Sequence, residues 1–200
     1  MLFRSRPGLN HPELFGTNGC ISVSSKGLGK SGLVFKNTEN NRSNLYVRML
    51  TRLLEAGLEQ RLQRLSEIHG GTSLVLLGEI FGAGVQDLHY GTREPQFRAF
   101  DLRIGFTWAD PVAFAFDVSG VLMLDLAPTV YEGEYEEHVL RHHAGGSTRL
   151  GEHHIREGIV VRSLRGDRHP LHGRKIAKFI SPDYLTRKRS EEHTSELQSH

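Results

Sequence analysis

The sequence predicts an α+β fold of mainly antiparallel sheets with helices. Three observations carry that reading. Between Leu45 and Ile68, the residues Leu50, Leu54, Leu58, Leu62 and Leu65 recur at spacings of four and three with arginines and glutamates between them, which marks one long amphipathic helix. Short runs on both sides of it either alternate apolar and polar residues or stay apolar for too few positions to make a helix, and these read as strands. Glycine pairs and polar turns separate the strands, which suits hairpins better than the long helical crossovers of a parallel sheet.

Taken in order, Cys20 to Ser24 alternates around Ile21 and Val23 and reads as a short strand. Lys26 to Gly32 is a glycine-rich turn, and Leu33 to Phe35 is its returning strand. Asn37 to Asn44 is a polar loop in which Ser43 or Asn44 can cap the long helix. Gly57 weakens that helix and Gly70-Gly71 ends it. Leu74 to Phe81 is apolar but short, hence a buried strand that surfaces at Glu79. Phe97 to Trp108 and Val112 to Leu124 read as further strands. Glu132 to His143 is a short helix stopped by Gly145-Gly146, and Ile159 to Arg162 and Ile176 to Ile180 are the last strands.

A chain of 200 residues buries a full core, and one domain is the natural expectation. Its formal charge of +2 does not announce a polyanionic partner, but the distribution does more. Arg162 to Lys188 carries Arg162, Arg165, Arg168, Arg174, Lys175, Lys178, Arg187 and Lys188 against only Asp167 and Asp183, a face suited to phosphates. The single cysteine, Cys20, excludes an internal disulfide and a cysteine-based zinc cluster. No apolar run approaches the roughly 20 residues of a membrane span, and no signal-peptide core opens the chain. A monomeric, cytoplasmic protein with no membrane partner is expected. Residues 189–200 are polar, aperiodic and unlike what precedes them; they read as a translated sequencing adapter, and residues 1–12 as a misframed start.

Chemistry concentrates in three strings. Glu79 lies between Gly78 and Gly82 at the end of an apolar strand, Glu157 opens the apolar run Gly158 to Val161, and Lys175 and Lys178 border or interrupt a third. Two carboxylates and two lysines at strand edges suit metal-assisted handling of a nucleotide phosphate, with Glu79 and Glu157 for the metal and the lysines for the phosphate. Phe100, out of phase with Asp101 on an alternating strand, can offer an aromatic plane. Each residue alone also has an ordinary structural reading: a strand-end glutamate, a core phenylalanine, a capped strand. Ser24 to Ser31 imitates a phosphate loop but lacks its first glycine and a helix after it. The pairs His142-His143 and His153-His154 have no further ligand at metal spacing and read as solvated loop histidines.

As a set, in this order and over residues 13–188, the strings resemble the nucleotidyltransferase motifs of ATP-dependent RNA ligases, closest to the Deinococcus-type group. The resemblance implies a ligase-type nucleotidyltransferase domain, ATP-grasp-like, using ATP and Mg²⁺ or Mn²⁺ to join RNA ends or seal a nicked duplex through a lysine–AMP intermediate. It makes Glu79, Glu157 and Lys178 catalytic, with both glutamates on the metal. Gly16, Thr17, Lys26, Phe100, Lys175 and Lys178 become nucleotide contacts, with Phe100 against the adenine. One element is missing. Glu13-Leu14-Phe15-Gly16-Thr17-Asn18 keeps the Gly-Thr-Asn of the family's first motif but has Glu13 where the nucleophilic lysine belongs and Phe15 where its polar partner belongs. Either the N-terminal sequence is damaged, which is the favoured reading, or the chain is a non-adenylylating nucleic-acid-binding relative. A DNA ligase or capping-type guanylyltransferase is a third reading.

Overall fold

The computed structural model describes residues 1–85, 90–151 and 154–187. His153 and the segment from Lys188 onward, including the tail read as foreign, lie outside the described residues. No helix among the described residues is long and apolar enough to cross a membrane. The chain divides into two units, one of Met1–Phe81 with Glu94–Ala127 and one of Gly82–Arg93 with Pro128–His200.

In the first unit, β1 (Leu2–Ser5), β2 (Ile21–Ser24), β3 (Leu74–Phe81), β4 (Gln96–Ile104) and β5 (Thr107–Trp108) form one sheet in the order β2-β1-β3-β4-β5, with every neighbouring pair antiparallel. Register assigns the faces. Phe3, Val23, Leu76 and Leu102 share a row, as do Ser5, Ile21, Leu74 and Ile104, on one side. The ring of Phe3 meets that of Phe97 edge to face at 5.3 Å. Leu2, Arg4, Ser22, Ser24, Val75, Leu77, Glu79, Arg98 and Arg103 occupy the other side. The sheet therefore has an apolar face and a mixed polar one, as alternation dictates.

The amphipathic segment makes two helices, α2 (Leu45–Glu55) and α3 (Leu58–Ile68), not one. Gly57 takes φ +87° between them, a left-handed conformation that breaks the ladder, so its effect exceeds a mere weakening. Asn44 caps α2, its Oδ1 accepting the amides of Tyr46 at 2.9 Å and Val47 at 3.4 Å. Lys26–Lys30 is a five-residue helix, α1, and Leu33 to Phe35 supplies only the single bridge Val23–Phe35. The expected strand over Val112 to Leu124 is helical instead: α4 (Pro111–Ala115) runs into a π-turn over Phe116–Val121. Asp110 dictates this, its Oδ1 accepting the amides of Val112 and Ala113 at 2.9 Å each, with Pro111 at the first helical position.

The second unit pairs β6 (Gly158–Arg162) with β9 (Ile176–Ile180) and the short β7 (Arg168–His169) with β8 (Gly173–Arg174). Helix α5 (Glu137–Ala144) contributes Leu140 and Ala144 to a small core with Ile159, joined by Val130, Tyr131, Val161 and Phe179. The C-terminus of α5 is closed by Arg156, whose guanidinium donates to the carbonyls of His143, of Gly145 at 3.1 Å and of Ser147 at 2.8 Å. Desolvation, and then the nearby Arg149 charge, lower its pKa from the usual guanidinium range. Arg156→Ala removes all three hydrogen bonds and is expected to lower stability by about 2 kcal/mol, read as a shifted denaturant midpoint.

Candidate functional site

Glu79 belongs to the polar face of the first unit, exposed between the buried Gly78 and Ile80 and opposite Arg98. Arg98 donates to the carbonyl of Leu126 at 2.9 Å, and its Nη2 lies 3.8 Å from Asp125 Oδ2. The Met1 amine donates to the carbonyl of Gly78 at 2.7 Å; burial lowers its pKa and the Glu79 charge partly restores it. Register jumps between the pairs Leu77–Asp101 and Gly78–Ala99, so Phe100 is the extra residue of a β-bulge. The bulge turns Phe100 outward, 39% exposed, while Asp101 is buried at 7%.

Register also separates the other candidates of this unit. Ser24, Leu2 and Leu77 share a row, so Lys26 leaves β2 at the end of the sheet where Glu79 lies. The Gly16–Thr17 turn precedes Ile21, at the opposite end. Gly16 takes φ +83°, and a side chain there would meet Glu59 Oε1 at 2.9 Å. That same oxygen accepts the Thr17 amide at 2.6 Å. Glu13 pairs with Lys36, Oε2 to Nζ 2.7 Å, and its carbonyl accepts the Asn37 amide at 2.8 Å. The hydrogen bond from Lys36 holds the Glu13 carboxyl below its ordinary pKa. With the folded-state pKa depressed, the pair's contribution is present above the ordinary carboxylate pKa and fades as pH falls through the folded one.

In the second unit, Glu157 precedes β6, its carbonyl accepting the amide of the fully buried Ser181 at 2.9 Å. Its Oε1 accepts the hydroxyl of Tyr90 at 2.9 Å. Tyr90 is 7% exposed and held at φ +51°, a left-handed conformation uncommon for a side-chain-bearing residue. The backbone of Gly151 lies against it so closely that a Cβ there would sit 1.9 Å from the Tyr90 carbonyl oxygen. Lys178 is paired with Val160 on the open face of β6–β9, beside the pairs Gly158–Ile180 and Arg162–Ile176. Neither strand is fully buried: Val160 is 65% exposed and Lys178 is exposed too, because a two-stranded sheet packs only one face on α5. Counted along β9 from Ser181, opposite Glu157, Lys178 is about 10 Å away and Lys175 about 20 Å. Among the described residues no three His, Cys, Asp or Glu side chains cluster as a metal site; the ring of His143 stacks on Tyr131 at 5.1 Å.

A sequence profile of the RNA ligase family matches residues 14–180, most of the chain. The protein belongs to the RNA ligase family. No curated protein sequence matches it. Among solved structures it is similar to a mutant of the Naegleria gruberi RNA ligase with AMP and Mn, at TM-score 0.64 and 19% identity over 93% of this chain and 48% of that one. Another mutant of that ligase, with ATP and Mn, gives 0.64 and 18% over 94% and 48%. The same ligase with PPi gives 0.56 and 18% over 94% and 49%. The chain thus spans about half the length of the solved chains it matches, and at these identities the likeness establishes the fold, which is the mixed, mostly antiparallel one expected.

The residue that sequence reasoning passes over is Tyr90. It stands 67 positions before Glu157, outside every recognised string, and only the fold joins the two. Tyr90→Phe keeps the ring and removes the one hydroxyl; a stability loss of about 1 kcal/mol is expected, measured by chemical denaturation.

Proposed function

We propose that this chain is the nucleotide-handling part of an ATP-dependent RNA ligase acting on RNA ends or nicked duplexes, as a cytoplasmic monomer, and that as written it does not charge itself with AMP. The observation that carries the reading is the family match from residue 14 to 180 together with Glu13, salt-bridged to Lys36, in the place of the nucleophile. ATP is the substrate suggested by the matching fold, which in a relative is described with ATP and Mn.

The residues present fit a hard divalent cation. Glu157 in the second unit offers carboxylate oxygens of the kind Mg²⁺ and Mn²⁺ take, and Glu79 offers the same in the first. When bound, the ion would neutralise charge on the triphosphate. Tyr90 fixes one oxygen of Glu157 and so sets the direction of the other. Lys178 presents its ammonium on an open strand face, available to the α-phosphate. Phe100, turned out by the bulge, offers a plane to the adenine, and Lys26 at the same end of the sheet offers a cation to the phosphates. Gly16–Thr17 and Lys175 lie farther along their elements and would serve outlying parts of the nucleotide or the RNA.

The test is calorimetric titration with ATP in Mn²⁺. Binding by the parent chain, weakened about tenfold each by Phe100→Ala and Lys178→Ala, is the expected result. Binding unchanged by both substitutions would remove these residues from the site. The Glu13–Lys36 pair also favours a second reading, a non-adenylylating relative that binds nucleic acid. Retained RNA binding with no ATP titration at all would select it.

A further inference from the structure

We propose that Arg4 and Arg103, with Phe106 near them, bind a single strand of RNA on the polar face of the five-stranded sheet, an inference that rests on the RNA-joining function proposed above. Register places the two arginines in one row, since Arg4 of β1 and Arg103 of β4 both pair with Val75 of β3. Two strand spacings separate them, about 10 Å. Glu79 is farther along β3 on the same face, at about 3.3 Å per residue roughly 13 Å from the row. The row and the end of the sheet proposed to handle the nucleotide therefore share one face of one unit.

Both side chains are partly buried, and the Nε of each is buried with no hydrogen-bond partner. A buried donor left unmade costs stability, which asks for a return elsewhere. Neither guanidinium forms an ion pair among the described residues, and of each only Nε is closed off, so the terminal nitrogens open to solvent. Arg98, on the same face, is the contrast: its terminal nitrogens meet the Leu126 carbonyl at 2.9 Å and Asp125 at 3.8 Å. Asp101, two positions before Arg103, gives its Oδ1 to the Leu102 amide at 3.1 Å. Arg103 Cζ lies 5.8 Å from the ring centroid of Trp108, its register partner, a contact that orients the guanidinium and keeps its charge. Val75, between the two arginines, is only 4% exposed. Arginines packed down in this way have little rotamer freedom left to lose, the condition for a preorganised phosphate contact.

Phe106 identifies the occupant. Ile104 pairs with Thr107, so Gly105 and Phe106 are the two residues of a tight turn, with Gly105 at φ +57°. The Phe106 side chain at this tip is 99% exposed, three positions from Arg103. An open aromatic ring near cations suits the face of an unpaired base, with the guanidiniums on the phosphates that flank it. An acidic protein surface would use the arginines and leave the ring idle. A paired duplex keeps its base faces stacked on one another and out of the ring's reach, so the occupant is single-stranded.

The experiment is fluorescence anisotropy of a labelled single-stranded oligoribonucleotide over a salt series, using the full chain. Arg4→Gln with Arg103→Gln is expected to weaken binding about tenfold at low salt and to flatten the slope of log K against log salt by about 1.4, two phosphates at roughly 0.7 each. Arg103→Gln alone, which leaves the central strand β1 untouched, should flatten the slope by about 0.7. Phe106→Ala, at a fully exposed position, is expected to weaken binding about tenfold with the slope unchanged, since stacking releases no counterions. Unaltered RNA affinity and slope in the arginine variants overturns the proposal while leaving the ligase reading intact. Unaltered affinity in Phe106→Ala overturns it too, as does stronger competition by duplex RNA or by a polyglutamate peptide than by single-stranded RNA. Failure of the parent to bind ATP in Mn²⁺, with these RNA effects present, overturns the ligase reading and leaves the RNA contact standing.

Discussion

Glu13→Lys is expected to convert a chain that takes up no label from α-labelled ATP into one that does. On the proposed reading, a carboxylate at position 13 repels the α-phosphate and has no nitrogen to form the phosphoramidate bond. In the parent, Lys36 Nζ lies 2.7 Å from Glu13 Oε2. With lysine at position 13 the same ammonium becomes a like charge beside the new amine, lowering its pKa and enlarging the fraction able to attack. Both side chains of the existing pair are about half exposed, 57% for Lys36 and 44% for Glu13, so the substitution should leave the thermal midpoint nearly unchanged. Phe15, at the position of the motif's polar partner, is best left alone. It is 3% exposed, and a histidine there would exchange core packing for a buried polar ring. The assay is incubation with Mn²⁺ and labelled ATP followed by denaturing electrophoresis, with Lys178→Ala added to Glu13→Lys expected to abolish the label. Label on the parent chain would show that another lysine, Lys36 among them, already acts, and would overturn the assignment of position 13.

Gly78→Ala is expected to damage the sheet of the first unit severely. A Cβ at Gly78 would lie 2.2 Å from Phe97 Cζ and 2.6 Å from the Arg98 carbonyl oxygen. The ring could swing away only by abandoning its contact with Phe3, and the carbonyl belongs to the ladder itself. Overpacking of this kind costs about 3 kcal/mol, a fall of roughly 10 °C in thermal midpoint for a chain of this size. Because Glu79 is the next residue, ATP binding should weaken in parallel. An unchanged melt would mean that Phe97 does not cover Gly78.

How far the sequence could be read depended on whether a signal is local. The alternation in Ile176 to Ile180 was sufficient to set Lys178 apart from Phe179, because strand period needs only neighbours. It could not reveal that Lys178 stays in solvent, since the number of strands in a sheet is a tertiary fact. The leucine pattern identified helical structure correctly but ran through Gly57, as period alone does not register one left-handed residue. Val112 to Leu124 suits a strand by its apolar content, but Asp110-Pro111 is a local helix-start signal and it prevails. Strand phase alone singles out Phe100, whereas its exposure arises from a bulge that exists only in the pairing with β3. Tyr90 had no local signal at all.

Strand β1 has a consequence for how this molecule is made. It lies between β2 and β3, and the bond from Met1 to Gly78 closes a loop of 77 positions. During synthesis β1 can pair early with β2, but its other edge stays open until Leu74–Phe81 has left the ribosome. At about 5–20 residues per second, the 57 positions from Ser24 to Phe81 take roughly 3–11 s. For that interval a nascent hairpin carrying Phe3, Ile21 and Val23 presents a bare edge to any neighbouring chain, so crowded polysomes are where this protein is most exposed to aggregation, and slower translation lengthens the hazard.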